Sequence, residues 1–173
     1  VKFVKPQSQI DTLRYEPTEG GINAQFSVSE NATIFFSKGN LRYNPSTKEW
    51  AFASSQTSRV GTNNSSIAAD YSGWIDLFGW GTSGYNDAMP YLSVQDYTKY
   101  ANVPSIAETN YDWGVYNKIS NGGNEVGLWR TLTADEWMYL FFSRDNADSL
   151  FAFGVVNSVK GLILLPDEWH QPE

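Results

Sequence analysis

Cysteine is absent from this chain, and histidine occurs once. The lack of cysteine excludes disulfides, thiolate zinc sites and cysteine nucleophiles together. The one histidine, His170, lies close to the end of the sequence, where a lone side chain rarely performs acid–base chemistry. Nucleophile-plus-base catalysis therefore lacks a base. A carboxylate pair for glycoside hydrolysis remains an alternative among the 19 Asp and Glu residues, although no pair stands out.

Positive charge and long hydrophobic runs are also scarce. Lys and Arg number 12 against 19 Asp and Glu, the net charge is −7, and no basic cluster occurs. Such a chain is a poor nucleic-acid binder, because phosphate neutralisation dominates that affinity. No apolar run approaches the ~18 residues of a membrane-spanning helix. We expect no nucleic-acid partner, no transmembrane segment and no cofactor.

Aromatic residues, in contrast, are abundant. Seven Trp, ten Tyr and ten Phe make up 16% of 173 residues, and 41% of the chain is hydrophobic, which is enough for a core. Residues 1–21 read as a leader or linker, because Pro and Gly break every period there. Val1, Phe3 and Val4 offer a short edge strand as the alternative. Residues 22–173 are predicted to form one domain.

The order of patterns predicts an α+β fold with a small antiparallel sheet, one or two helices and long loops. Alternating apolar residues between turns predict strands at 26–29, 33–37, 41–43 and 50–52. A short helix is expected at 67–71, and 82–112 lacks a clear period. Later segments predict a helix at 134–144, a second short helix that Asp145 or Asn146 caps and that ends at Leu150, and a hairpin with arms at 151–156 and 161–165.

The start of the 134–144 helix is the best-specified feature. Thr133 and Glu136 fit a capping box, and Asp135 adds negative charge where the helix dipole favours it. Arg130 is expected to pair with Glu136 or Asp112, with an anionic ligand as the alternative. A largely buried helix is predicted from three apolar residues at helical spacing, Trp137, Leu140 and Phe141.

Residues 129–140, WRTLTADEWMYL, resemble the helix signature of the formylglycine-generating-enzyme-like branch of the C-type-lectin-like fold. The matching positions are Thr133, Glu136, Trp137 and Tyr139. A closer resemblance covers nearly the whole chain from Phe26. It links this sequence to secreted or lipid-anchored surface proteins of Bacteroides-type gut bacteria through 36–43 (FSKGNLRY), 71–81 (YSGWIDLFGWG), 112–114 (DWG) and 162–169 (LILLPDEW).

The resemblance implies a C-type-lectin-like fold at a bacterial surface, with two departures. The enzyme branch binds copper through two cysteines, so its oxygen chemistry is not expected here. Such proteins also continue past the LPDEW segment into a Gly/Tyr/Trp-rich part that completes the sheet, whereas this sequence stops at Glu173. We expect a fragment, a half whose partner is a separate chain, or a variant sheet. An open edge prone to pair with another chain should result.

Candidate binding residues are mainly aromatic. Trp80, Tyr85 and Trp113, with Trp74, could form a platform for sugar rings, although Trp74 and Trp80 could instead fill the core, since Trp is highly buried on average. Tyr91 is a further surface candidate, as are Tyr97 and Tyr100 in the same irregular stretch.

Other possible sites are weaker. Oxygen ligands for calcium could come from Asp76, Asn86, Asp87, Asn110 and Asp112, but their spacing fits no known loop, and turn capping is the competing interpretation. Short Asp-Ser/Thr-apolar patterns mark Thr12 and Ser149 as O-glycosylation candidates.

Together these features favour a non-catalytic surface module that binds glycan or protein through its loops. A structural or assembly subunit comes second, and an enzyme third.

Overall fold

Within the described residues, the fold mixes small antiparallel sheets with two α-helices. The computed structural model describes residues 2–3, 19–61, 64, 68–91 and 105–171. Its strands are β1 (Lys2–Phe3), β2 (Phe26–Ser29), β3 (Ala32–Phe35), β4 (Leu41–Asn44), β5 (Glu49–Phe52), β6 (Phe151–Val156) and β7 (Val159–Leu164). The helices are α1 (Trp113–Tyr116) and α2 (Ala134–Phe142), with short 3₁₀ turns at Tyr85–Asp87 and Ala147–Ser149. An α+β architecture is therefore confirmed.

The strands form three separate antiparallel units. One sheet has the order β1-β3-β2, and β4–β5 and β6–β7 are two-stranded hairpins. The expected strands near 26–29, 33–37, 41–43 and 50–52 are present, as is the hairpin at 151–164. The edge strand that was the alternative for the leader also forms, because Lys2 and Phe3 pair with β3. The helix expected at 67–71 is wrong, since residues 68–71 make a turn.

Two buried clusters hold these units together. The first surrounds β4 and β5 and consists of Tyr43, Trp50, Phe52, Ile75, Ile119 and Trp129. The second lies between β2, β3 and α2 and consists of Phe26, Val28, Ile34, Leu132 and Leu140. Trp129 and Leu132, three residues apart, belong to different clusters, so the segment before α2 joins the two.

The capping box at the start of α2 is confirmed. The Glu136 backbone N–H donates to Thr133 Oγ1 at 3.2 Å, and the Thr133 N–H donates to Glu136 Oε2 at 2.8 Å. The helix ends at Phe142 rather than at 144. The prediction that α2 is largely buried is wrong, because Leu140 is its only buried residue and Trp137 is exposed. Helical periodicity identified an apolar face, but only Leu140 packs fully against β2.

A buried arginine ties the end of α2 to the rest of the fold. Arg144 is 3% exposed, and its Nη1 donates to Asp167 Oδ1 at 2.9 Å. Its Nη2 donates to the carbonyls of Leu165 (3.0 Å) and Leu150 (3.3 Å) at the base of the β6–β7 hairpin. The other Asp167 oxygen accepts from the Ser27 N–H and Oγ, both at 2.7 Å. This clamp explains the Asp of the LPDEW segment. The expected cap of the following turn does not form, since Asn146 occupies the cap position with no side-chain bond.

Candidate ligand-binding surface

Helix α1 is the scaffold of the candidate surface, and Asp112 fixes its start. The Gly114 N–H donates to Asp112 Oδ1 at 3.3 Å, while Thr131 donates to Oδ2 from its N–H (2.7 Å) and its Oγ1 (2.9 Å). Gly114 is required because a Cβ there would lie 2.5 Å from the Trp129 carbonyl oxygen. In the DWG segment, Asp112 thus caps the helix, Trp113 supplies an aromatic side chain, and Gly114 allows the close approach of the Trp129 backbone.

Burial gives Asp112 an unusual environment for a carboxylate. It is 1% exposed, and burial raises the pKa of its side chain above the ordinary value, although the bonds from Thr131 and Gly114 act in the opposite direction. Because each of its oxygens already accepts bonds that order the backbone, Asp112 serves structure rather than a calcium site.

Tryptophan rings form one half of the surface. Trp113 makes edge-to-face contacts with Phe78 (centroids 5.2 Å apart) and Trp80 (6.0 Å). Phe78 in turn contacts Trp50 of the first core cluster at 5.2 Å. Trp80 is 39% exposed, so it does not fill the core. The indole N–H of Trp113 is buried and makes no hydrogen bond within the described part of the chain.

Tyrosine rings form the other half. Tyr85 makes edge-to-face contacts with Tyr111 (5.1 Å) and Tyr116 (5.5 Å). Tyr116 lies one turn after Trp113 on α1 and is exposed. Asn86 Nδ2 donates to the Tyr111 hydroxyl at 3.1 Å. We call the six residues of the two halves the aromatic ridge: Phe78, Trp80, Tyr85, Tyr111, Trp113 and Tyr116.

Polar contacts hold together the loops that carry the ridge. Asn117 Nδ2 donates to the carbonyls of Ser83 (2.8 Å) and Trp113 (3.0 Å). Ser83 Oγ donates to the Asn110 carbonyl at 2.6 Å, and Ser83 is itself buried. The loop around Ser83 and the turn before α1 are therefore joined to α1 by hydrogen bonds, which orders the ridge before any ligand arrives.

Three of the four candidate binding residues come together here, namely Trp80, Tyr85 and Trp113. Tyr91 makes no ring contact with these three residues and packs against the first core cluster beside Tyr43. Burial, with Tyr91 as a second cause, raises the pKa of Tyr43 to about 12. Trp74 also lies apart, with the Arg42 guanidinium 4.3 Å above its ring. Tyr97, Tyr100 and Thr12 lie outside the described residues, whereas Ser149 is exposed.

Asp76, like Asp112, makes contacts that order the backbone. Asp76 accepts from the Val60 N–H (2.8 Å) and from Asn64 Nδ2 (2.7 Å), so it orders a turn. Across the residues that the structure describes, no group of three or more His, Asp or Glu side chains could hold a metal ion. Turn capping is the interpretation that the contacts of Asp76 and Asp112 support.

Arg130 binds a carboxylate, as expected. Its guanidinium donates to Glu136 Oε1 at 2.6 Å and to Oε2 at 2.9 Å, and Glu108 lies 3.7 Å away. Burial would raise the pKa of Glu136, but the bonds from Arg130 and Thr133 outweigh it and lower the pKa below the ordinary value. A bidentate pair of this kind fixes geometry as well as charge, so Arg130 orders the helix entrance.

An apolar groove lies between the two core clusters and the β6–β7 hairpin. Its volume is about 690 Å³, and its walls include Phe36, Trp113, Trp129, Trp137 and Ile163. The inner side of Trp113 therefore faces this groove, while its neighbour Trp80 faces outward. Sequence patterns gave no signal for the groove, because its walls come from segments far apart in the chain.

None of the described helices is long and apolar enough to cross a membrane. Comparison with protein-family profiles, curated proteins and solved structures finds no match to this chain.

Proposed function

We propose that this protein is a non-catalytic binding module of a bacterial surface, secreted or lipid-anchored, that recognises a glycan or a protein through the aromatic ridge. A C-type-lectin-like fold is part of the proposal and rests on the sequence motifs. The mixed α+β architecture is compatible with that fold. The observation that carries the proposal is the ridge itself, six aromatic rings from three chain segments grouped around one short helix.

The composition of the ridge suits recognition. Tyr and Trp supply large, rigid contact area at low conformational-entropy cost, and they are the side chains that most often dominate binding energy. The exposed rings of Trp80 and Tyr116 offer apolar faces, and Asn86 and Asp87 place exposed polar groups beside Tyr85. Aromatic faces next to amide and carboxylate groups match a sugar ring, which has apolar C–H faces and hydroxyls at its rim.

Charge narrows the class of glycan. The chain carries a net charge of −7, and the polar residues beside the ridge include an acidic side chain, Asp87. Long-range repulsion disfavours sulfated or uronic-acid polymers on such a surface. A neutral glycan is therefore the favoured ligand, and a protein epitope is the alternative.

Three of the carboxylates have structural roles, which is in keeping with a non-catalytic module. Asp112 caps α1, Glu136 pairs with Arg130, and Asp167 pairs with Arg144. Each of these carboxylates holds backbone or arginine in place, so none of them is available to transfer a proton to a ligand.

Binding to an array of neutral glycans tests the proposal, with Trp80→Ala as the informative variant. Loss of the Trp80 indole ring should weaken glycan binding by on the order of tenfold or more, as is typical of an aromatic anchor. Trp169→Ala is the matched control, because Trp169 has a similar exposure (36% against 39%) and lies outside the ridge. Equal binding by wild type and Trp80→Ala would contradict a role for the ridge. Binding to proteins alone would replace glycan by the protein alternative.

The second candidate function is a structural or assembly subunit. One observation favours it, namely the β6–β7 hairpin, which carries exposed Phe153, Val155 and Leu162 on one face. Monomeric soluble proteins rarely expose such contiguous apolar patches without a partner.

A further inference from the structure

The β6–β7 hairpin is a sheet of two strands joined by a tight turn. Asn157 and Ser158 both have positive φ (49° and 64°), as a two-residue type I′ loop requires. Val156 pairs with Val159 next to the turn, and Phe153 pairs with Leu162. Within the described residues, neither strand pairs with any third strand. An isolated two-stranded hairpin is marginal in water unless something packs against it.

Both faces of this hairpin are apolar apart from Lys160, which lies opposite Val155. One face carries Ala152, Gly154, Val156, Val159, Gly161 and Ile163, and it borders the groove. The opposite face begins with Phe151, which contacts Phe141 of α2 at 5.3 Å, and continues outward to Phe153, which is 87% exposed. Strands that are apolar on both faces are typical of the interior of a larger sheet.

The direction of the backbone N–H and C=O groups indicates what kind of element would cover the hairpin edge. In a type I′ hairpin the pair next to the turn is hydrogen-bonded, so Phe151, Phe153 and Val155 direct their N–H and C=O groups away from β7. No backbone bond from these three residues to another described segment exists outside the hairpin. Alternating donors and acceptors along an edge are satisfied by an extended strand, as in β-strand addition.

The two edges of the hairpin differ in charge. The β6 sequence FAFGVV has no charged residue, whereas β7 carries Lys160 on its outward edge. A lysine on an edge opposes pairing, and an uncharged edge rich in β-branched and aromatic residues favours it. The β6 edge is therefore the one that accepts a strand.

We propose that β6 pairs antiparallel with β6 of a second copy of this chain, about a twofold axis at Phe153. This register overlaps all three outward-directed residues of each copy and opposes no like charges. Pairing of β6 with β7 of a neighbour would be head-to-tail and need not close, whereas identical edges form a closed dimer. The product is a four-stranded sheet.

The apolar patch supplies a large part of the area that such a contact needs. It continues from the hairpin onto α2, because Phe141 contacts both Phe151 and the exposed Phe142. Phe side chains bury on the order of 150 Å² or more each, so Phe142 and Phe153 of two copies approach half of the ~1,200 Å² of a small specific interface. Met138 and Val155 are also exposed and extend the patch.

This interface shares no residue with the aromatic ridge. The dimer would supply the partner that a structural or assembly function requires. Because the two surfaces are separate, the dimer can be tested independently of ligand binding.

Sedimentation velocity across a wide protein concentration range tests the dimer. Phe153→Lys sets two lysines against each other at the axis and should raise the dissociation constant by on the order of 100-fold. Leu162→Lys is the matched control, because it introduces the same charge directly across the hairpin on β7, and it should leave the dimer within a few-fold of wild type. The dimer should also tighten as salt screens the −7 charge of each copy.

A single cysteine tests the register, since the chain has none of its own. Hydrogen-bonded partners across an antiparallel pair have Cα atoms about 5.5 Å apart, which lies within disulfide range. Phe153→Cys should therefore form a disulfide-linked dimer on mild oxidation, and Leu162→Cys should not. A wild-type monomer at every concentration, open-ended oligomers, or a dimer that survives Phe153→Lys would each overturn the proposal.

Discussion

Two hairpins of the same architecture differ in how far the rest of the molecule encloses them. The β4–β5 hairpin is enclosed, because Tyr43 exchanges backbone bonds of 2.8 Å with Ile75 on one edge and Trp50 bridges to Ile119 on the other. Its Tyr43, Trp50 and Phe52 side chains are core residues. The β6–β7 hairpin has comparable apolar content but is attached mainly at its base. Irregular segments can therefore satisfy the backbone edges of a hairpin and cover its side chains, as neighbouring strands do in a larger sheet.

Truncation of Trp129 should produce the largest contrast between the two regions. Trp129 is 2% exposed, contacts Phe52 of β5 at 4.6 Å and donates from Nε1 to the Gly122 carbonyl at 2.7 Å. Trp129→Ala should lower the free energy of unfolding by about 3–5 kcal/mol, through a cavity and an unpaired carbonyl. Phe153→Ala should change it by less than about 0.5 kcal/mol. Urea denaturation of protein dilute enough to be monomeric measures both losses, and equal losses for the two variants would contradict this contrast.

Removal of the Arg144 clamp should have the next largest effect and should act on the open hairpin. Arg144→Ala leaves Asp167 and the carbonyls of Leu150 and Leu165 without their donor. Loss of one partner of a buried pair costs about 3–5 kcal/mol, and we expect the lower end, about 3 kcal/mol, because Asp167 is partly exposed.

Hydrogen exchange would locate that loss. Backbone amides of β6 and β7 should lose protection more than those of β4 and β5, since the clamp holds only the former. Lys160→Ala, which changes an exposed cation on the hairpin itself, is the control and should leave protection unchanged. A uniform loss across both hairpins would mean that they unfold as one unit.

The smallest expected effect on stability concerns the segment before α2, which joins the two core clusters and in which Arg130 pairs with Glu136. The pKa of Glu136 is lowered in the folded state, so its contribution to stability is present above the ordinary glutamate pKa and is lost as the pH falls through the folded value. Asp112 acts in the opposite sense, because its raised pKa favours the folded state at low pH.

Glu136→Gln should therefore show a shallower loss of stability than wild type as the pH falls below about 4.3, the ordinary glutamate value. Asp135→Asn is the control, because that exposed carboxylate lies in the same helical turn without the arginine. Thermal unfolding between neutral and acidic pH measures the difference. Parallel profiles for wild type and Glu136→Gln would show that the ion pair contributes little to stability.

Local features of this fold could be predicted from the sequence. The capping box depends on residues three apart, and the hairpin arms depend on β-rich segments around one turn. The exposure of α2 could not be predicted, because periodicity shows which side of a helix is apolar and not what packs on it. The Arg144–Asp167–Ser27 clamp spans residues 140 apart and has no spacing that a sequence pattern detects.

The candidate surface was partly predictable for the same reason. Aromatic abundance in the loops identified Trp80, Tyr85 and Trp113, but no pattern could show that Tyr111 and Tyr116 complete the group. That arrangement depends on bonds such as Asn117 to Ser83, across 34 residues of the chain. Tyr91 was grouped with the others because it follows them closely in sequence, and its packing against the core shows the limit of that argument.

The Arg144 clamp also has a mechanical consequence. A tensile load applied beyond Asp167 meets the bonds of that residue to Ser27, Gln25 and Arg144 before it reaches β7. These bonds join the load to β2 and α2, so force bypasses the hairpin instead of unzipping it strand from strand. The less supported of the two hairpins is thereby shielded from pulling at its base.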